Sequence, residues 1–411
     1  MGYTKQAIAG FSWDTFFKLS SGGLIVIKMA ILARLLTPED FGLFSLTTIA
    51  LGVMEASTQT GVNITIIQSD NSVGYFLDTA WVIAIIRGFL IGSFMLILGM
   101  GMAQWYQQPE LMTTIIVAAL IPVIKGFINP AIIGLRKELN FFKDSMYNIS
   151  LQVVEAVLAV ILAFATHSVF SLIIAMIGAA FFEVFISFIF FSHRPRFAYS
   201  ASRAKNIFQN SVSLGFSALF NYLHENLDNV IVGSVVPLAG LGIYHKSYGL
   251  AHKPNYDLSR SAVHSTLPIF AKITHQPQRL WRAFAKSGGV TLVVVCLASL
   301  PILLFPKQIV LILLGEQWTE AIAILPLLTL AGIIQALNTV VYNLFIVKKW
   351  YATMNTHLFL TVLCMVLGVW WGGTHYGLLG AVYGVLISRI ITTPLLGWNV
   401  WRIFKNSSPT V

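Results

Sequence analysis

Apolar residues run along this chain in blocks of about twenty, broken by short polar stretches. About twenty is the number a helix needs to cross the hydrocarbon core of a bilayer. The pattern predicts twelve spans, near 12–36, 41–67, 78–104, 111–134, 146–165, 168–191, 211–236, 239–271, 284–305, 319–346, 355–373 and 377–401. Most connections are short, so successive spans are expected as antiparallel hairpins, with no room for a soluble domain. The N-terminus carries no charged–apolar–small-residue cleavage pattern and reads as a first helix, not a removable signal peptide. The expected fold is an all-α polytopic membrane protein.

Composition agrees with this reading: 56% of residues are hydrophobic, 10% are charged, and the mean hydropathy is +0.77. A net charge of +10 could suggest nucleic acid, but its distribution argues against that partner. Lys5, Arg136, Lys137, Lys143, Arg194, Arg196, Arg203, Lys205, Lys272, Arg279, Arg282, Lys348, Lys349, Arg402 and Lys405 fall at the termini or in even-numbered connections. The odd connections are nearly free of basic residues; Lys307 and Arg34 depart from the rule, and the second connection, 69–78, has none. By the positive-inside rule both termini are expected to be cytoplasmic. Part of the charge also suits anionic membrane lipids. Cys296 and Cys364 fall inside spans and read as packing residues; no metal, nucleotide or other cofactor motif occurs, so no cofactor is expected.

The chain repeats itself at an offset of 200. ARLLTPEDFGLFSLT (33–47) and GSVVPLAGLGIYHKS (233–247) align without gaps, each leaving an apolar helix, turning tightly and starting a polar-studded one. The spans divide six and six around the longest basic connection. The expected organisation is an N-terminal six-helix lobe (1–192), a basic cytoplasmic linker (193–210) and a C-terminal six-helix lobe (211–411), related by an axis along the membrane normal.

Two stretches carry a family resemblance: AILARLLTPEDFGLFSLTTIALGVMEASTQTGVNITIIQ (30–68) and ENLDNVIVGSVVPLAGLGIYHKSYGLAHKP (225–254). They resemble the openings of the two halves of Wzx-type oligosaccharide flippases, members of one superfamily with the multidrug extruders and lipid II flippases. The resemblance implies two pseudo-symmetric lobes around a central cavity and export of an undecaprenyl-diphosphate-linked oligosaccharide by alternating access. It also implies a polysaccharide polymerase and a chain-length regulator as partners. Many relatives have fourteen spans where this chain has twelve.

Charged residues inside spans sharpen the functional reading, because they normally face a bundle interior or water. Asp14, Lys18, Ser21, Ile25 and Lys28 fall within about 80° of arc on the first span. Asp14 and Lys18 could instead pair one turn apart at the interface, with either lysine snorkelling. In the eighth span, Lys246, Lys253 and Arg260 recur every seven residues, with His245, His252 and Ser259 in an adjacent row. Such a helix survives in a membrane by facing water, and Pro254 should bend it near its middle. The bland alternative is a re-entrant or interfacial segment. On the seventh span Ser217, Asn221, His224, Glu225 and Asp228 share a face of about 100°. His224, Glu225 and Asp228 are candidate ligands for a coupling H⁺ or Na⁺, or counter-ions of a cationic cavity. Arg87 and Lys125 are further cavity candidates, Glu155 and Glu183 are read as partners of such cations within a lobe, and Arg389 stands alone in the twelfth span.

Lys18, Lys28, Arg87, Lys125, Lys246, Lys253 and Arg260 thus form the candidate substrate site, since cations at low dielectric bind phosphate oxygens strongly. By themselves these residues indicate a transporter of something anionic. A cation-coupled multidrug exporter is the alternative within this architecture. A membrane polysaccharide enzyme is less consistent with outer connections this short, and the protein is read as a non-enzyme.

Overall fold

The computed structural model describes residues 21–405 except 60, 70, 139, 192, 209 and 210; at residues 68, 211–214, 253, 261, 262, 264 and 265 it describes the backbone alone. Asp14 and Lys18 therefore lie outside the described residues. Among those described, regular structure is entirely helical. The first unit contains α1 (21–35), α2 (Pro38–Ser57), α3 (Val62–Gln68), α4 (Val73–Trp105), α5 (Pro109–Ala118), α6 (Leu120–Lys125), α7 (Ile133–Lys137), α8 (Phe141–Thr166), α9 (Phe170–Phe190) and α10 (Ala201–Phe208). Next come α11 (Ser211–Val235), α12 (Leu238–Ala251), α13 (Lys253–Lys272), α14 (Pro277–Leu304), α15 (Pro306–Leu313), α16 (Ala321–Val347) and α17 (Tyr351–Lys405).

Six of these, α4, α8, α9, α14, α16 and α17, are long and apolar enough to cross a membrane. Helix α17 is two helices joined at Gly377, whose φ of 61° and ψ of −147° only glycine adopts readily. Its arms pack glycine on glycine: a Cβ at Gly380 or Gly384 would strike the backbone of Gly372 or Gly368. The sequence places these glycines four apart on each arm, the spacing that lets apolar helices approach closely where lipid supplies no hydrophobic drive.

Three expected spans are interrupted. The second breaks at 58–61, between α2 and α3. The fourth bends by 69° between Pro109–Lys125 and Pro130–Lys137. The eighth breaks at His252, where Pro254, in the first turn of α13, has no N–H for a continuous ladder.

The repeat is visible in the helix starts. Helix α2 begins at Pro38 and α12 at Leu238, 200 residues apart and each after a tight turn. At the first, Thr37 and Asp40 form a capping box: the Asp40 N–H donates to Thr37 Oγ1 (3.2 Å), and the Asp40 carboxylate accepts the Thr37 N–H (2.9 Å). The other Asp40 oxygen accepts the Val169 N–H (2.9 Å), tying the start of α2 to that of α9.

Contacts divide the chain into two compact units, Met1–Asn226 and Leu227–Val411. The boundary lies inside α11, whereas the sequence reading set it at the basic connection 193–210. The first half of α11 packs on α2: the Tyr222 hydroxyl donates to the Thr48 carbonyl (3.3 Å), and a Cβ at Gly52 would run into the Tyr222 ring. The second half belongs with α12, through Asp228 and Asn229.

Candidate functional site

The interrupted helices of the first unit surround a cavity of about 700 Å³. Its polar lining comes from the end of α2 (Glu55), the break after it (Gln59), the start of α3 (Asn63), α4 (Arg87), α6 (Lys125) and α11 (Asn221, Tyr222, Glu225). Alanines and isoleucines, with Gly52, Val62 and Pro130, make up the remaining wall. The breaks explain why a polar cavity forms among apolar helices. A helix that stops inside a membrane leaves carbonyls without partners, and these must be satisfied by protein or by water in a cavity.

Arg87 supplies that satisfaction. Its Nε donates to the Thr58 carbonyl (2.8 Å) and hydroxyl (3.2 Å), and its Nη2 to the Glu55 carbonyl (2.9 Å). It thus caps the C-terminal end of α2, where the helix dipole favours a cation, while lining the cavity. Lys125 lines the cavity from α6 and is exposed, and Glu183 accepts a long hydrogen bond from Tyr147 (3.4 Å). Among the titratable residues lining this cavity, two cations stand with two carboxylates.

Arg87, Lys125 and Glu225 are thus brought together. The other candidates whose side chains are described are not among the residues lining the cavity. The Lys28 ammonium donates to Glu155 at 3.0 Å, with about a quarter of the lysine side chain exposed. Glu155 is therefore an intra-unit partner of a cation, as its place in the fifth span suggested.

In the second unit Asp228 is 4% exposed. Its carboxylate accepts the Tyr244 hydroxyl (2.7 Å) and the backbone and side-chain N–H groups of Asn229 (2.8 and 3.1 Å). Arg389, also buried, acts on Asp228 through space; it donates to the Ala331 carbonyl (2.9 Å) and is in contact with His252 Nε2. His252 and Ser259 are both buried, so the histidine row of the eighth span faces protein. Lys246 is half-buried, while Arg260 is exposed, with its guanidinium 5.6 Å from the Tyr256 ring centre. His224 is exposed on α11. Of Lys253 only the backbone, at the start of α13, is described.

Sequence reasoning missed Tyr222, Asn63 and the Tyr244 partner of Asp228. Gly61 was the available signal for Asn63, since a glycine within an apolar run marks a place where a helix can break.

Solved structures share this architecture. The lipid II flippase MurJ in an inward closed conformation matches with a TM-score of 0.67 at 14% identity, over 96% of this chain and 89% of that one. An inward-facing multidrug resistance transporter of the MATE family matches with a TM-score of 0.64 at 15% identity, over 94% and 96%. Fold and hydropathy together define an all-helical polytopic membrane protein with a polar cavity. Within that class the chain belongs to the polysaccharide biosynthesis protein family, which matches it over residues 31–323. Relatives extend along almost its whole length. The lipopolysaccharide biosynthesis protein WzxC of Escherichia coli K12 is 23% identical, covering 100% of this chain and 87% of that protein. The succinoglycan biosynthesis transport protein ExoT of Rhizobium meliloti is 24% identical, covering 98% and 81%.

Proposed function

We propose that this protein is a flippase that carries an undecaprenyl-diphosphate-linked oligosaccharide from the cytoplasmic to the periplasmic leaflet of a bacterial inner membrane. The observation that carries this reading is the coincidence of two likenesses. Relatives along nearly the whole chain are named for lipopolysaccharide and succinoglycan biosynthesis, and the fold is shared with a lipid II flippase. The physical problem suits such a machine. A glycan is too polar to cross hydrocarbon unaided, the diphosphate needs cations where water is scarce, and the lipid tail can stay in the bilayer.

In this reading the diphosphate meets cations drawn from Lys18, Lys28, Arg87, Lys125, Lys246, Lys253 and Arg260. Alternating access is driven by H⁺, Na⁺ or the membrane potential, with His224, Glu225 and Asp228 as the coupling groups. Both termini face the cytoplasm, and a polymerase with its chain-length regulator takes up the delivered glycan. A cation-coupled multidrug exporter is the second reading, favoured by the shared fold with a MATE transporter. The family match weighs towards the first. Translocation alone requires no bond to be made or broken.

Purified protein in proteoliposomes should move a fluorescent lipid-linked oligosaccharide between leaflets, read by access of a membrane-impermeant quencher. Efflux of lipophilic cations without any movement of the lipid-linked sugar would establish the exporter reading instead.

A further inference from the structure

The connection between α9 and α11 is pinned to the first unit along its backbone. Asn129 Nδ2 donates to the His193 carbonyl (2.8 Å), the Arg196 N–H donates to Asp78 (2.7 Å), and the Ser200 N–H donates to Thr79 Oγ1 (3.2 Å). Helix α10 then buries Ala204 and Ile207 in a core shared with Ile66, Phe76, Ala80 and Ile83. A connection of this kind has no need of so many anchors merely to join two helices. The fastening holds its side chains in a fixed outward array.

That array is cationic and aromatic. Between residues 191 and 208 the sequence has four Lys or Arg and no Asp or Glu. Arg194, Arg196 and Lys205 are exposed and have no carboxylate partner among the described residues. Asp78, which could have neutralised a guanidinium, accepts a backbone N–H instead. Phe197 is 76% exposed and Tyr199 60%, while Arg203 lies 4.4 Å over the Tyr75 ring.

We propose that the segment 193–208 is a seat for the headgroups of anionic phospholipids, holding the first unit against the leaflet surface. It directly follows a membrane-crossing helix, α9, which places it at the level of the headgroups. Exposed aromatic rings beside unpaired cations suit that layer, where a ring is half in hydrocarbon and a cation meets phosphate. Cations spread from 194 to 205 fit several separate lipid phosphates better than the one diphosphate of a substrate.

The full-length protein in a neutral detergent would be titrated with dioctanoyl phosphatidylglycerol. Dioctanoyl phosphatidylcholine serves as the uncharged control and farnesyl diphosphate as the other source of anionic phosphate. Phosphatidylglycerol should bind and raise the thermal midpoint, and phosphatidylcholine should not. The combined variant Arg194→Ala, Arg196→Ala, Lys205→Ala alters exposed side chains and should keep the lipid-free midpoint. Its affinity for phosphatidylglycerol should fall about tenfold or more, each cation near an anionic surface contributing roughly fivefold. The comparison variant Arg279→Ala, Arg282→Ala, Lys286→Ala removes three exposed cations at the start of α14 and should keep the parent affinity.

Equal losses in the two variants would overturn the proposal in favour of undirected charge attraction. Dependence of farnesyl diphosphate binding, but not of phosphatidylglycerol binding, on the three residues would overturn it in favour of substrate loading. The readout is binding without transport, so either failure leaves the flippase reading standing.

Discussion

Asp228 sits between the Tyr244 hydroxyl and the N–H groups of Asn229, with Arg389 near enough to act on its charge. A buried acceptor left without its partner costs about 1–3 kcal/mol, so Tyr244→Phe should lower unfolding stability by about that amount. Whether Asp228 also couples transport to an ion is a separate measurement. If it does, substrate movement depends on pH or Na⁺ in the parent and that dependence flattens in Asp228→Asn. Retention of the parent's full dependence in both Asp228→Asn and Glu225→Gln would make these residues structural counter-ions. Lys28 poses the same choice from the other side. Lys28→Ala strands Glu155, so loss of transport alone would be ambiguous. Replacing both members, as Lys28→Met with Glu155→Leu, should recover stability. Transport that stays lost in the double variant assigns Lys28 to the substrate, and transport that returns assigns it to the ion pair.

At the scale of the element, the interruptions inside α2–α3, α5–α7 and α12–α13 matter more than the spans around them. Arg87 holds the end of α2, and Arg87→Ala leaves two carbonyls to the cavity. Amide exchange around Thr58 and Gln59, whose N–H groups bond back to Met54 and Ala56, should rise about tenfold or more. Arg87→Lys should restore part of this protection; unchanged exchange in Arg87→Ala would remove its capping role. The hairpin within α17 makes a different demand. Gly380→Leu pushes a side chain into the Gly372 backbone and should abolish folded yield, judged by size-exclusion chromatography. At Gly397 on the same helix, which is exposed, a Cβ would meet nothing within 4 Å, and Gly397→Leu should be tolerated. Periodicity located these helices well but read the second, fourth and eighth segments as continuous. Pro254 signalled the last break, because a missing N–H is written in the sequence. The break at 58–61 depends on Arg87, 26 residues beyond Gly61, and local pattern carries no trace of that partner.

At the scale of the molecule, a lysine in each unit ties one helix to the backbone near the end of another. Lys137, at the end of α7, donates to the carbonyls of Ile66 (2.8 Å) and Ser69 (2.7 Å), closing the end of α3. Lys348, following α16, donates to the Thr274 carbonyl (2.8 Å) just beyond α13. In the sequence these basic residues mark topology, and in each unit they also satisfy backbone. The proposed orientation has its own test: single cysteines at positions 40 and 203 should react with impermeant reagents from opposite sides of the membrane. Reaction from the same side would refute the arrangement with both termini cytoplasmic.

The sequence by itself determined that the chain is helical and membrane-embedded, where its apolar segments run, and which residues are too polar to face lipid. Those properties follow from composition and from a period of 3.6 residues, which act along one helix at a time. Only the tertiary structure decided that Arg87 closes α2, that Lys28 meets Glu155 and that Asp228 is held by Tyr244. Helical spacing gives the direction in which a side chain leaves its own axis. Its partner depends on the depth and crossing of a second helix, and no single helix encodes that.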